Sequence, residues 1–106
     1  MPSYRVRHPR NLERYALYGY EPINLAFFAH IFEGGACVGR YDALQEGYDC
    51  RRPLIGAIRF LSTYSFFSFD DFDEVLALMP YQLPREMPSR LRRAARVVAN
   101  FQSAAD

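Results

Sequence analysis

His30 and Cys37 are the two side chains of the sequence that could carry out covalent chemistry together. A histidine base beside a cysteine raises the fraction of reactive thiolate, which is how cysteine nucleophiles are activated. The two residues lie on either side of Gly34-Gly35, and a hairpin closed at that dipeptide would make them diagonal neighbours on one face. The companions expected on that face are aromatic, and no carboxylate or amide is placed to orient the imidazole. We therefore expect a buried thiol beside a core histidine, and no catalytic residue.

Metal-binding and phosphate-loop patterns are missing from the sequence. An acidic cluster runs from Asp70 to Glu74, but it lacks the loop spacing and the central glycine of a calcium site. Negative charge in the first turn of a helix favours the helix dipole, which explains the cluster without a metal. The two cysteines and two histidines are scattered between His8 and Cys50 and do not form a zinc-ligand pattern. We expect neither a metal nor a cofactor.

The basic residues form two groups, and all 13 of them are arginines. A net charge of only +1 means that any attraction to a polyanion must come from such local clusters. A basic N-terminal arm combined with an arginine-rich helix is one way to contact a nucleic-acid backbone. The sequence therefore keeps a nucleic-acid-binding regulator as the alternative function. The candidate contacts are Arg5, Arg7 and Arg10 in the arm, and Arg92, Arg93 and Arg96 in the helix.

Three β-strands are predicted in the N-terminal half. Aromatic and apolar residues indicate the first over residues 14–20, although Asn11 could instead cap a short helix through Leu17. Two apolar runs, over residues 25–33 and 36–42, flank Gly34-Gly35, which is a strong signal for a two-residue type I′ hairpin. Counting outward from this turn pairs Phe28 with Tyr41.

Three helices are predicted after a polar link over residues 43–51. The first begins near Pro53, ends near residue 64 and contains Arg59, which should reach the surface or meet a carboxylate. The second begins after Ser68, with Asp71 as a capping partner. Its predicted apolar stripe is Phe69, Phe72, Leu76 and Met79, before Pro80. The predicted stripe of the third helix is Leu91, Ala94, Val98 and Phe101.

These elements predict an α+β fold, in which a three-stranded antiparallel meander with a Gly-Gly hairpin precedes three helices in the order βββααα. At 106 residues the chain should form a single domain over residues 1–106, with residues 1–10 as a basic arm. We find no signal-peptide pattern and expect no membrane segment, so the expected location is the cytoplasm. The exclusive use of arginine over lysine indicates a GC-rich, bacterial genome.

The second predicted strand is apolar on both sides, whereas a small antiparallel sheet normally buries only one. If the helices cover the side of Phe28, the other side forms an apolar patch with a charged rim, which is typical of an interface. The residues of this expected interaction face are Phe27, Ala29, Ile31, Val38 and Arg40. The sequence therefore favours a non-enzymatic protein–protein interaction or regulatory module, which pairs as a homodimer or binds another protein. A small Cys/His enzyme is the least favoured alternative.

Overall fold

Four strands precede three helices in the computed structural model, which describes residues 3–21, 23, 26–42, 53–78 and 85–105. The strands are β1 (Ser3–Arg7), β2 (Arg14–Glu21), β3 (Ala26–Glu33) and β4 (Ala36–Asp42). The helices are α1 (Pro53–Thr63), α2 (Phe69–Leu78) and α3 (Ser89–Ala105). The predicted α+β class and the order of strands before helices are confirmed, but the predicted number of strands is too small by one.

The additional strand, β1, lies where a basic arm was expected. It pairs antiparallel with β2, with Tyr4 opposite Tyr18 and Val6 opposite Ala16. Tyr4 and Val6 are half-buried. Arg5 is exposed, and so are the residues two positions before and after it. This two-residue alternation of apolar and basic side chains is the pattern of a half-buried strand.

His8 joins the end of β1 to the helical layer. Its Nδ1 accepts hydrogen bonds from the backbone N–H groups of Arg10 and Asn11, both at 3.1 Å. Its Nε2 lies 2.9 Å from the carbonyl oxygen of Tyr64 and therefore donates to it. Both ring nitrogens of this buried histidine are thus used in fixing the turn between β1 and β2.

The strands form one antiparallel sheet in the order β1-β2-β3-β4. The predicted turn at Gly34-Gly35 is confirmed, and both glycines have positive φ, 57° and 84°. The predicted register holds for the pair of Phe32 and Cys37 next to the turn. It is wrong beyond that pair, because a β-bulge shifts the partner by one residue and Phe28 lies opposite Asp42 instead of Tyr41.

The bulge decides which residues of β4 are buried. Without it, Arg40 would lie opposite Ala29 and face the core, where an unpaired guanidinium is costly. With it, Tyr41 takes that place and is 5% exposed, Arg40 is exposed, and Val38 is 44% exposed. One extra residue in the strand therefore exchanges a buried arginine for a buried tyrosine, at the cost of exposing a valine.

All three helices contribute to a core on a single side of the sheet. The strand residues of this core are Ala16, Tyr18, Phe27, Ala29, Ile31 and Tyr41. The expected interaction face depended on the helices covering the side of Phe28, and that condition is not met. The other side, which we call the second face, has the aromatic and aliphatic residues Tyr15, Leu17, Phe28, His30 and Phe32, with Arg5, Arg7, Cys37, Arg40 and Asp42 around them.

The helices follow the predicted boundaries closely. The Ser68 hydroxyl accepts a hydrogen bond from the Asp71 N–H at 3.1 Å and so caps α2. Phe69 is 51% exposed and Val75 is buried in its place, so the predicted stripe of α2 is wrong at its first residue. The stripe of α3 is confirmed, since all four of its residues are buried.

Several predicted features lie outside the described residues, namely Cys50, Met79, Pro80 and the link at 43–51. Arg59 is exposed on α1, as expected for an arginine in an apolar run. Among the described helices, none has the length and hydropathy needed to cross a bilayer.

Candidate functional site

A cleft with a volume of about 320 Å³ opens between β1 and α3. The apolar part of its lining comes from Val6, Tyr18 and Val97. Its five basic residues are Arg5 and Arg7 from β1, and Arg92, Arg93 and Arg96 from α3. Among the described residues no aspartate or glutamate lines this arginine cleft, so its positive charge is not neutralised locally.

Each element places its arginines by its own periodicity. On β1, the alternation that buries Val6 turns Arg5 and Arg7 outward on either side of it. On α3, successive residues are about 100° apart, so Arg92, Arg93 and Arg96 occupy one sector next to the buried stripe. The apolar pattern that fixes the core therefore also places the three α3 arginines at the cleft, whereas Arg5 and Arg7 line it from the edge strand while sharing the other face of the sheet with Tyr15.

Two hydrogen bonds to backbone carbonyls help to fix the α3 side of the cleft. The Arg93 Nη1 donates to the carbonyl oxygen of Arg7 and so ties α3 to the edge strand β1. The Arg92 Nε donates to the carbonyl oxygen of Met87 at 3.4 Å. Each guanidinium retains further N–H groups, because the group has five donors in all.

The ion pairs of the described residues involve other arginines. Arg90 on α3 binds Asp71 and Glu74 of α2, the latter at 3.1 Å, and these carboxylates raise the pKa of Arg90 further. Arg14 binds Glu33 at 3.1 Å, which lowers the pKa of that carboxyl group. Two carboxylates of α2 are thus used by Arg90, and within the described part of the chain no ion pair involves an arginine of the cleft.

Tyr18 lines the inner wall of the arginine cleft, and its side chain is buried. The Asn100 Nδ2 donates to its oxygen at 2.7 Å, which leaves the hydroxyl hydrogen for another acceptor. Burial raises the pKa of Tyr18, against the opposing effects of Asn100 and Arg96. The hydroxyl therefore stays protonated.

The structure brings together five of the six arginines that the sequence marked as nucleic-acid contacts. Arg10 is the exception, since it is exposed in the turn after β1 and does not line the cleft. Tyr18 and Ser89 were not predicted as lining residues. The alternation of apolar and basic side chains at Tyr4, Arg5 and Val6 was the sequence signal from which β1, and with it a strand carrying basic residues, could have been predicted.

The residues predicted as an interaction face are not grouped on one surface. Phe27, Ala29 and Ile31 belong to the core beneath the helices, and Ile31 is fully buried. Val38 is exposed at the bulge, and Arg40 is exposed on the second face opposite His30. The proposed patch was built on a register without the bulge, which is why its members separate.

His30 and Cys37 share the second face, but their surroundings differ from those expected. Cys37 is exposed and not buried, and its Sγ donates to the carbonyl oxygen of Gly39 at 3.5 Å. His30 lies next to the ring of Phe28, and burial together with the charge of Arg40 lowers its pKa, which Asp42 partly offsets. No group of His, Cys, Asp and Glu among the described residues is arranged to hold a metal ion.

Comparisons with protein-family models, with curated protein sequences and with solved structures found no match to this chain. The functional assignment therefore depends on the chemistry of its own residues.

Proposed function

We propose that this protein binds nucleic acid through the phosphate groups of the backbone, and that the arginine cleft is the contact surface. The observation that carries the proposal is a cleft lined by Arg92, Arg93 and Arg96 of α3 and by the edge-strand residues Arg5 and Arg7, with no carboxylate among its described lining residues. Clustered guanidinium groups repel one another, and a bound polyanion removes that repulsion and releases counterions.

Guanidinium chemistry favours phosphate as the ligand. Arginine presents several N–H donors in a planar fork that matches two phosphate oxygens, and it remains charged at every physiological pH. The three α3 arginines provide such forks at different positions along the cleft. A chain of regularly spaced phosphates can use several of them at once, whereas a single small anion cannot.

This proposal promotes the alternative that the sequence left open over the protein–protein module that it favoured. The homodimer was expected to form through Phe27, Ala29 and Ile31, and these residues are needed for the core. A non-catalytic, binding role stays a prediction for the protein.

The experiment measures fluorescence anisotropy of labelled 20-nucleotide single strands and 20-base-pair duplexes at 50 mM salt. The test variant is Arg92→Gln/Arg96→Gln, which removes two exposed charges from the cleft. The control is Arg59→Gln/Arg85→Gln, which removes two exposed charges outside the cleft lining. Since both variants have the same net charge, a difference between them depends on position alone.

We expect the wild-type chain to bind, the cleft variant to lose at least 10-fold in affinity, and the control to change by less than about 2-fold. Equal losses in the two variants, or no binding by the wild-type chain, would contradict the proposal. Circular dichroism and thermal unfolding should show that both variants keep the wild-type fold.

A further inference from the structure

Tyr4 places an aromatic ring on the same side of the sheet as the arginine cleft. It lies opposite Tyr18 in the register of β1 and β2, and Tyr18 lines the cleft. Val6, two residues further along β1, shares the face of Tyr4 because the side chains of a strand alternate, and it also lines the cleft. The ring of Tyr4 therefore adjoins the cleft along β1.

The ring of Tyr4 has one stacking partner in the described part of the chain. Its centroid lies 5.7 Å from that of the Tyr18 ring, and the two planes differ by 30°. On its other side β1 is the edge of the described sheet, and no second ring or guanidinium group of the described residues stacks on Tyr4. The side chain is half-buried, so the ring has surface left for one further stacking partner.

Positive charge lies close to this ring. Burial raises the pKa of Tyr18 and the bond from Asn100 lowers it, and the neighbouring Tyr4 and Arg96 then raise and lower it further. Because electrostatic effects weaken with distance, Tyr4 and Arg96 both lie near the Tyr18 hydroxyl group. Arg96 is exposed and lines the cleft. A guanidinium group beside a partly covered aromatic ring is complementary to a phosphate beside a base.

We propose that the ligand of the arginine cleft is a single-stranded nucleic acid, one base of which stacks on Tyr4 while neighbouring phosphates bind the α3 arginines. This inference rests on the proposed function, because it specifies the class of nucleic acid that the cleft binds. In a duplex the bases are stacked on one another, whereas a base of a single strand can be splayed onto an aromatic side chain.

The test compares Tyr4→Leu with a matched control, Tyr15→Leu. Tyr15 is also a half-buried tyrosine of the sheet, but it lies on the second face, between the ring of Phe32 and the guanidinium group of Arg5. A further variant, Tyr4→Phe, keeps the ring and removes only the hydroxyl group. Affinities are measured by anisotropy for 20-nucleotide RNA and DNA single strands and for a 20-base-pair duplex, at the same salt concentration.

We expect the wild-type chain to prefer the single strands, and Tyr4→Leu to lose about 5-fold or more in affinity for them. Tyr4→Phe and Tyr15→Leu should change by less than about 2-fold, and so should the duplex affinity of Tyr4→Leu. RNA and DNA single strands should behave alike, since every base has a stacking surface.

Several outcomes would overturn the inference, and they differ from failure of the proposed function. If Tyr4→Leu binds single strands like the wild-type chain while Arg92→Gln/Arg96→Gln is impaired, the cleft remains a phosphate site without a stacking ring. Equal losses in Tyr4→Leu and Tyr15→Leu, or in Tyr4→Leu and Tyr4→Phe, would also contradict stacking on the Tyr4 ring. Absence of wild-type binding would remove both proposals.

A second measurement uses the wild-type chain and so does not depend on how the variants fold. A single strand containing 4-thiouridine is photocrosslinked to the protein, and the tryptic peptides are mapped by mass spectrometry. The peptide of residues 1–5 contains Tyr4, and the peptide of residues 15–40 contains Tyr15. We expect crosslinks in the first peptide. Crosslinks confined to the second peptide, or to α3, would contradict base stacking on Tyr4.

Discussion

The two faces of the sheet differ in what their side chains contact, although β3 supplies apolar residues to both. On the helix-covered face, Ala29 and Ile31 are fully buried among the helices. On the second face, Leu17 and Phe32 are half-buried beside exposed arginines. Hydrophobic burial explains the first face, whereas on the second face aromatic side chains lie beside arginines.

The largest expected effect follows from placing a charge on the helix-covered face. Ile31→Glu would bury an unpaired carboxylate, and we expect a loss of roughly 4 kcal/mol or more in the free energy of unfolding. His30→Glu changes the adjacent residue, which lies on the second face opposite Arg40, and should cost far less. Urea unfolding measures both variants. A stable, folded Ile31→Glu protein would contradict the assignment of the core.

The register of β4 provides a sharper comparison between neighbouring residues. Tyr41→Ala removes a core side chain and should cost about 3 kcal/mol or more of unfolding free energy. Arg40→Ala removes an exposed side chain and should stay within about 0.5 kcal/mol of the wild-type value. Thermal or urea unfolding of the two variants distinguishes the registers, since a sheet without the bulge would bury residue 40 and expose residue 41.

The smallest effect concerns the pH dependence of stability through His30. Its pKa is lowered in the folded chain by burial and by Arg40, so the unfolded chain binds the proton more readily. Stability therefore falls as the pH decreases from about 6.5, the usual pKa of an unfolded histidine. Unfolding free energies between pH 7.5 and 5 should fall less steeply in His30→Gln than in the wild-type chain. Equal slopes would show that His30 is not desolvated beside Arg40.

The sequence was informative where local chemistry determines the structure. Gly34-Gly35 needed positive φ at two adjacent residues, and the hairpin turn followed from that. Ser68 and the spacing of Leu91 and Ala94 located the start of α2 and the buried stripe of α3. In each case a few neighbouring residues were sufficient.

The sequence pattern was not sufficient where residues distant in the chain determine the structure. Because β3 is apolar on both sides, its own periodicity could not choose the side that the helices cover. That choice depends on β1 and β2, where Val6 and Ala16 share the face of Ile31 while Arg5 takes the other. The bulge at Val38 depends on the cost of burying Arg40, which a count from the turn does not include.

The sequence predicted individual residues of the candidate site, but it did not predict that they line one cleft. The five arginines that line the cleft were identified from their clustering alone. Their meeting at one cleft required β1 to be the edge strand beside α3. The ion pairs of Arg90 with Asp71 and Glu74 likewise join separate helices. Both are tertiary features.

The most direct test of phosphate binding by the arginine cleft is the salt dependence of nucleic-acid affinity. The logarithm of the association constant for a single strand should fall linearly with the logarithm of the salt concentration, by about 0.7 for each phosphate contact. In Arg92→Gln/Arg96→Gln that slope should decrease by about 1.4, since two contacts are lost. In Arg59→Gln/Arg85→Gln it should stay unchanged. An affinity that does not depend on salt, or the same slope in both variants, would contradict the assignment of the cleft.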